Sequence, residues 1–209
     1  MDSKHSVSRR SALTLLGGGI LAAGQAFASP KEAEAPALDP KGLVRPELLQ
    51  AAIAAAADKK ITDRSRLLVM DFKRHSSKPR LYLVDRSTGI VEAMNCAHGI
   101  GSDARHCGYA SVFSNVPNTS ASSLGAYRIV GMGQGPKHGP HLALDGLEPS
   151  NDKARERAII IHSAWYAEPD RVREWGKMGR SNGCFATSDA DRDRLFAALK
   201  PGTLLFAGA

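Results

Sequence analysis

The segment Gly179–Ala186, Gly-Arg-Ser-Asn-Gly-Cys-Phe-Ala, says more about the fold than any other stretch of this 209-residue chain. Small and turn-forming residues precede Cys184, and an apolar stretch follows it. Glycine and asparagine accept the backbone angles of tight turns, so the pattern predicts that Cys184 is held on such a turn. We expect the backbone N–H groups of Gly183 and Cys184 to be free there and to face a ligand.

A short apolar segment upstream of this turn ends in a histidine. Ala158–Ile161 has the composition of a buried strand and leads directly into His162-Ser163. An imidazole within reach of Cys184 would take the thiol proton and produce the thiolate, which is the nucleophilic form. The same residues are also compatible with an inert buried cysteine and a hydrogen-bonded core histidine.

Hydrophobic residues elsewhere in the chain recur mainly with the period of β-strands. The Gly/Ser/Asn-rich loop 98–123 is long enough to predict a functional role. Gly131–Gly135 lacks the following helix of a nucleotide-binding loop, and we interpret it as a flexible loop. The pattern predicts a mostly β domain with strands at 67–72, 80–85, 90–97, 125–130, 158–162 and 203–207, and short helices at 170–175 and 189–199.

The first 28 residues resemble an export signal rather than part of the fold. Arg9-Arg10 precedes the apolar run Ala12–Ala26, and Ala26-Phe27-Ala28 has the form of a cleavage site. We expect a signal of the twin-arginine type at 1–28, with a Sec signal or an uncleaved anchor as alternatives. The composition of residues 29–46 predicts a tether. Residues 47–209 are expected to form a single domain that begins with a helix, and Pro46 marks the start of that helix.

Composition and charge exclude several classes of protein. Hydrophobic residues make up 43% and charged residues 23%, which is typical of a globular chain. The net charge of +7 falls to +5 when Asp2, Lys4, Arg9 and Arg10 leave with the signal. This basic charge suits an anionic envelope surface. Because the chain has no stripe of alternating aromatic and basic residues, we expect no nucleic acid partner.

Three cysteines and two neighbouring histidines raise the questions of disulfides and metals. Cys96 and Cys107 could form a bridge in an oxidising compartment, but the sequence does not decide whether they pair. His138 and His141 lie three residues apart, with no third ligand at a fitting spacing. We therefore predict neither a metal nor a cofactor.

Two motifs taken together resemble a known family. His162-Ser163, followed at a short distance by Ser181-Asn182-Gly183-Cys184, is similar to the catalytic signature of the L,D-transpeptidases, the YkuD-like family. The resemblance runs from about Leu67 to Phe206 and includes Ser122–Tyr127, which is similar to the family's small-polar-x-Gly-x-Tyr pattern. It departs at Asn182, where the commoner motif has a histidine. His162 is therefore the only general base that the signature offers.

The resemblance implies a β-sandwich or barrel with short helices and acyl transfer from a peptidoglycan stem tetrapeptide. The Cys184 thiolate would attack an L,D-amide and expel the terminal D-Ala, while His162 would move the protons. Backbone N–H groups at Gly183 and Cys184 would stabilise the oxyanion. Ser163 would help to orient the imidazole, or its hydroxyl would only bond to backbone. The amine of a second stem would then resolve the thioester.

The residues near this pair are expected to contact substrate. Arg180 suits a substrate carboxylate, with an ion pair to Asp or Glu as the alternative. Asn182 would orient substrate through its amide or would serve only as a turn residue. His98 would lie near the cleft, or is a surface histidine beside a glycine turn. Ser181 and His141 complete the expected substrate-binding set.

Peptidoglycan stem peptides are therefore the expected partners of a monomer in the periplasm or cell envelope, with no membrane span after signal cleavage. An L,D-carboxypeptidase, with water as acceptor, is the alternative within the same chemistry. A non-catalytic wall-binding domain is the alternative outside it. A papain-like peptidase is disfavoured because its cysteine precedes its histidine in the chain, whereas here His162 comes first.

Overall fold

The structure is a computed structural model and describes residues 36–58 and 60–209. The predicted signal at 1–28 and the first part of the predicted tether lie outside the described residues. Two short 3₁₀ turns, Ile100–Ser102 and Trp165–Ala167, accompany the main elements. These are α1 (Pro46–Ala55), β1 (Asp63–Asp71), β2 (Leu81–Asp85), β3 (Val91–Met94), β4 (Gly125–Gly135), β5 (Gly139–Gly146), β6 (Ile160–Ser163), α2 (Pro169–Trp175), β7 (Phe185–Thr187), α3 (Asp189–Ala198) and β8 (Thr203–Gly208).

The eight strands form a single sheet in the order β3-β2-β1-β8-β4-β5-β6-β7. Neighbouring strands are antiparallel except for the pairs β1–β8 and β6–β7. Two bridges, Ala97 with Ala186 and Gly99 with Ser181, connect the chain beyond β3 to the region of β7. The sheet is therefore nearly closed, and the prediction of a mostly β single domain with short helices is confirmed.

Strand β1 is buried on both faces. Leu68 and Met70 belong to the larger core, whereas Leu67 and Val69 belong to a second core beneath α1. Alternate residues of a strand point to opposite faces, so each face of β1 needs its own apolar set. This double burial explains why the run is continuously apolar instead of alternating with polar residues.

The described end of the predicted tether packs against the domain. The Asp39 carboxylate accepts hydrogen bonds from the N–H groups of Leu43 and Val44, at 3.0 and 2.8 Å. Arg45 pairs with the buried Asp71 at 2.9 Å. The packed region thus begins before the predicted boundary at residue 46, because these polar contacts hold the segment ahead of α1 in place.

The interpretation of Gly131–Gly135 as a flexible loop is wrong. These glycines form the second half of β4, which pairs with β5, a strand that the sequence patterns did not predict. A Cβ at Gly133 would lie 2.6 Å from His141 Nε2, so glycine leaves space for a histidine on the opposing strand. The resulting hairpin carries Lys137 and His138 at its tip, between the two strands.

Among the described residues, no helix is both long enough and apolar enough to cross a lipid bilayer.

Candidate active site

The parallel register of β6 and β7 brings His162 and Cys184 together. His162 pairs with Ala186, and Ile161 pairs with Phe185. Side chains two residues apart on a strand share a face, so Cys184 and His162 lie diagonally on the same face of the sheet. Both line one cavity of about 150 Å³.

The imidazole of His162 is fixed in one tautomer. Its Nδ1 lies 2.8 Å from the backbone oxygen of Ser163, and a carbonyl can only accept, so Nδ1 carries the proton. Nε2 therefore presents a lone pair, and it is the only buried side-chain nitrogen or oxygen of the described residues without a hydrogen-bond partner. Burial lowers the pKa of His162 to about 4, so the ring is neutral at pH 7. A neutral imidazole with a free Nε2 can accept a proton.

The surroundings of Cys184 favour the protonated thiol. The residue is 6% exposed, and Sγ donates to the backbone oxygen of Ala158 at 3.5 Å. Burial raises the pKa of the Cys184 thiol, while the Ile160 N–H and the nearby charge of Arg157 act in the opposite direction. Thiolate formation at pH 7 therefore requires an acceptor for the proton, and His162 lines the same cavity as Cys184.

The turn before Cys184 is organised by Ser181. Its Oγ donates to the backbone oxygen of Cys184 at 2.7 Å and accepts the N–H of Gly183 at 3.1 Å. The expectation that the Gly183 N–H is free is therefore wrong, because the turn itself uses it. The side chain of Ser181, expected to bind substrate, is likewise occupied inside the turn, where it holds the backbone of Gly183 and Cys184 in place.

Gly183 is required by backbone geometry. Its φ is +112°, and an added Cβ would lie 2.8 Å from the Ala121 backbone oxygen. The Cys184 N–H makes no backbone hydrogen bond within this turn. Of the two expected oxyanion donors, the N–H of Cys184 is thus the one left to meet a substrate oxygen.

Ser163 orients the imidazole through its backbone and not through its hydroxyl. The main-chain oxygen of Ser163 accepts a hydrogen bond from His162 Nδ1. The hydroxyl oxygen of Ser163 accepts a separate hydrogen bond from Arg192 at 2.6 Å. The Ser163 hydroxyl is therefore bonded to helix α3, and it is the Ser163 carbonyl that orients the His162 imidazole.

Arg180 and Asn182 both border cavities that Cys184 also lines. Arg180 donates to the backbone oxygens of Asp103 and Ala104 instead of pairing with a carboxylate side chain. Asn182 is exposed and lines the 150 Å³ cavity and two adjoining cavities of about 400 and 440 Å³. Asn182 is therefore accessible from all three cavities.

The β4–β5 hairpin forms the opposite wall of the site. The ring of His138 lies with its centroid 4.2 Å from that of His162, and Lys137 lines the same cavity. His141 pairs directly with His162 across the strands and lines the 400 Å³ cavity. The sequence suggests His138 only as a possible metal ligand. Its place beside His162 depends on the β4–β5 hairpin, which the sequence patterns do not predict. No cluster of possible metal ligands is found among the residues that the structure describes.

Arg157 is a second residue that the sequence analysis did not assign to the site. It lines the 400 Å³ cavity with Cys184. Its guanidinium donates to the backbone oxygens of Ser114, at 2.7 Å, and of Ala121. The long loop 98–123 is thereby fixed against the turn that carries Cys184, and a positive charge is held near the thiol. Arg157 lies in the stretch ahead of His162 that resembles the family, but the sequence gives no signal for its contacts with the long loop.

His98 lies outside the cavities, and its expected contact with substrate is wrong. It is 1% exposed, with Nδ1 accepting from Arg80 at 2.7 Å and Nε2 lying 3.3 Å from Asp103. Its backbone oxygen accepts the N–H of Ser181 at 2.9 Å. His98 therefore supports the turn that carries Cys184, and its side chain belongs to a buried polar cluster with Arg80 and Asp103.

The other two cysteines are not part of the site. Cys96 is buried in the core, Cys107 is exposed on the long loop, and the two thiols are free in this structure.

Comparison with known proteins gives one family. A profile of the L,D-transpeptidase catalytic domain matches residues 41–207. A search of the curated proteins found no match.

Several solved structures that are similar to this chain are named L,D-transpeptidases. They include an L,D-transpeptidase from Mycobacterium smegmatis (12% identity, TM-score 0.42, covering 69% of this chain and 59% of that one). Another is an L,D-transpeptidase from Mycobacterium tuberculosis (13% identity, TM-score 0.43, covering 69% of this chain and 58% of that one). A third is from Stackebrandtia nassauensis (16% identity, TM-score 0.43, covering 78% of this chain and 65% of that one). The chain thus spans less than two thirds of the length of each of these proteins.

Proposed function

Because the chain belongs to the L,D-transpeptidase catalytic domain family, we propose that it is a cysteine acyltransferase that cross-links peptidoglycan stem peptides in the cell envelope. One observation carries this proposal. A buried histidine with a free Nε2 and a cysteine on a rigid turn line the same cavity. A buried nitrogen without a partner has a cost in stability, and such groups persist where they serve chemistry.

The first half of the reaction forms a thioester. His162 Nε2 takes the proton from Cys184 Sγ as the sulfur attacks the carbonyl carbon of the amide that precedes the terminal D-Ala. The oxyanion of the tetrahedral intermediate meets the Cys184 N–H, and one such donor contributes on the order of 3 kcal/mol. His162 then gives its proton to the leaving nitrogen, the C–N bond breaks, and D-Ala departs.

The second half transfers the acyl group to an amine. An acceptor amine of a second stem attacks the thioester carbonyl and loses its proton to His162. A new C–N bond forms, the C–S bond breaks, and the sulfur recovers the proton. The bonds and charges balance without an oxidant or any external reductant.

The cavity walls suit a substrate that carries carboxylates. Lys137 and Arg157 line the 400 Å³ cavity, and Lys137 and Arg180 line the 150 Å³ cavity, so cations stand on several sides of Cys184. A stem tetrapeptide ends in a carboxylate, which a guanidinium or ammonium group binds at short range. The predicted export signal at 1–28 and the net charge of +5 without it agree with a site of action in the envelope.

Incubation of the protein with a disaccharide-tetrapeptide, followed by mass spectrometry of the products, tests this function. A dimer that lacks one D-Ala is expected. A tripeptide alone would identify an L,D-carboxypeptidase, and binding without turnover would identify a wall-binding domain. Cys184→Ala is expected to abolish turnover, whereas Cys107→Ala, which removes an exposed thiol outside the site, is expected to keep it.

A further inference from the structure

An exposed aromatic group stands beside the candidate active site. The turn Trp165–Ala167 directly follows β6, and helix α2 ends at Trp175. The Trp165 ring meets Trp175 edge to face, with the two centroids 5.8 Å apart, and meets Tyr166 at 5.9 Å. Trp165 nevertheless stays 67% exposed. Trp165, Tyr166 and Trp175 are called the aromatic platform below.

Arg171 holds the two tryptophans in a fixed arrangement. Its guanidinium lies 5.9 Å from the ring centroid of Trp165 and 5.6 Å from that of Trp175. Exposed cation–π contacts of this kind contribute about 0.5–1 kcal/mol each. Helix α2 has no fully buried residue. Val172 and Tyr166 pack against a small buried cluster, but neither Trp165 nor Trp175 does, so core packing does not account for the contact of Arg171 with the two tryptophans. An exposed tryptophan that packs beside an arginine is typical of binding surfaces.

The aromatic platform is continuous with the cavity at Cys184. Tyr166 contacts Trp165 on one side and lines the 150 Å³ cavity on the other. A Cβ at Gly179 would lie 2.5 Å from Tyr166 Cβ, so the tyrosine reaches this wall only because residue 179 is glycine. A ligand that fills the cavity can therefore extend across Tyr166 onto Trp165.

The charges of helix α2 favour an uncharged ligand. Arg173 pairs with Asp170, and Arg171 pairs with Glu174. Two cations and two anions cancel, so this surface lacks the net positive charge that would attract an anionic polymer, an acidic membrane or a nucleic acid. A neutral ligand with an apolar face fits the aromatic platform better.

We propose that the aromatic platform binds a pyranose ring of the glycan strand whose stem peptide occupies the cavity. This proposal rests on the proposed function. One face of a pyranose ring presents C–H groups, which pack on the electron-rich face of an aromatic ring. The hydroxyl and acetamido groups at the sugar edge remain hydrated or bond to the polar side chains of α2. The platform thus makes a disaccharide-tetrapeptide a better donor than the peptide alone.

Steady-state kinetics with two donors test this assignment. The full chain, Trp165→Ala and Ile90→Ala are compared on the disaccharide-tetrapeptide and on the free tetrapeptide. Ile90 is 60% exposed and lies at the β2–β3 turn, so it is the matched control for loss of an exposed apolar side chain. Trp165→Ala is expected to raise KM for the disaccharide donor about tenfold, a typical effect for a tryptophan in a binding surface. Its kcat, and its KM for the free peptide, should match those of the control.

An equal rise of KM for both donors, or no rise for either, overturns the sugar assignment. If wild type turns over neither donor, the proposed function fails. The platform is then tested by calorimetric binding of the disaccharide-tetrapeptide to Cys184→Ala, with and without Trp165→Ala. Loss of affinity on adding Trp165→Ala supports the platform. Equal affinity, or no binding to Cys184→Ala, contradicts it.

Discussion

The imidazole of His138 stands against that of His162, with the two ring centroids 4.2 Å apart. One ring comes from the tip of the β4–β5 hairpin and the other from β6. The contact keeps water away from His162, and a charge on His138 would repel a charge on His162. Burial is the larger cause, and both effects lower the pKa of His162, to about 4.

Replacement of His138 is expected to change the pH profile. His138→Ala removes the covering ring, so the pKa of His162 should rise toward the ordinary value of about 6.5. The protonated ring cannot act as a base, so the acid limb of kcat/KM should move to higher pH. The pH dependence of kcat/KM measures this, with His75→Gln as a control outside the cavities. An acid limb that stays in place or moves to lower pH contradicts the account.

Replacement of Arg157 is expected to lower both the stability of the fold and the reactivity of the Cys184 thiol. Arg157→Met removes a positive charge that helps to lower the pKa of the Cys184 thiol, so alkylation of Cys184 at pH 7 should slow down. The oxygens of Ser114 and Ala121 lose their donor, which should lower the free energy of unfolding by about 1–3 kcal/mol. Iodoacetamide kinetics and urea unfolding measure the two effects.

The alkylation experiment needs a background without the exposed thiol, which Cys107→Ala provides. An Arg157→Met protein that reacts as fast as this background and unfolds at the same urea concentration would show that Arg157 serves neither purpose.

Gly183→Ala is expected to be strongly destabilising. Residue 183 has a φ of +112°, which an alanine rarely adopts. The new Cβ would also lie 2.8 Å from the backbone oxygen of Ala121. Strain of this kind costs on the order of 1–3 kcal/mol. Gly42→Ala is the matched control, because Gly42 has a φ of +61° but no atom within 4 Å of the new Cβ. Similar unfolding free energies for the two variants would mean that the contact with Ala121 is easily relieved.

Acid is expected to destabilise the protein in part by protonating Asp103, which belongs to the buried polar cluster with Arg80 and His98. Burial opposes ionisation of Asp103, but the N–H groups of Cys107 and Gly108 outweigh it and lower the pKa of Asp103 to about 2. Because this pKa lies below the unfolded value of about 3.9, the carboxylate stabilises the fold above that value, and the stabilisation disappears as the pH falls to about 2. Asp103→Asn should remove on the order of 2 kcal/mol at pH 7.

The same substitution should flatten the dependence of stability on pH between about 4 and 2. Urea unfolding across this range provides the measurement. A slope identical to that of wild type would show that Asp103 does not titrate with the fold.

The sequence predicted those parts of the site that depend on local pattern. The turn at Cys184 and the strand that ends in His162 follow from small residues and from an apolar run. The β4–β5 hairpin was missed because Gly131–Gly135 looks like a loop, and only the opposing His141 explains why a strand needs glycine there. The positions of His138 and Arg157 depend on strand pairing and loop packing over long sequence distances, which periodicity does not report.

The misplacement of His98 has the same origin. The sequence around His98 has the composition of a loop. In the structure Arg80, the residue before β2, donates a hydrogen bond to Nδ1 of His98 at 2.7 Å, and the imidazole is buried. Burial of an arginine requires acceptors, and only the folded chain shows which groups supply them.

Intact-protein mass spectrometry after brief mixing with a disaccharide-tetrapeptide tests the central claim most directly. The account predicts a mass increase equal to the donor minus D-Ala, located on Cys184 by peptide mapping, absent from Cys184→Ala and strongly reduced in His162→Gln. An adduct of the same mass on Cys184→Ala, or turnover of the donor by that variant, would contradict it.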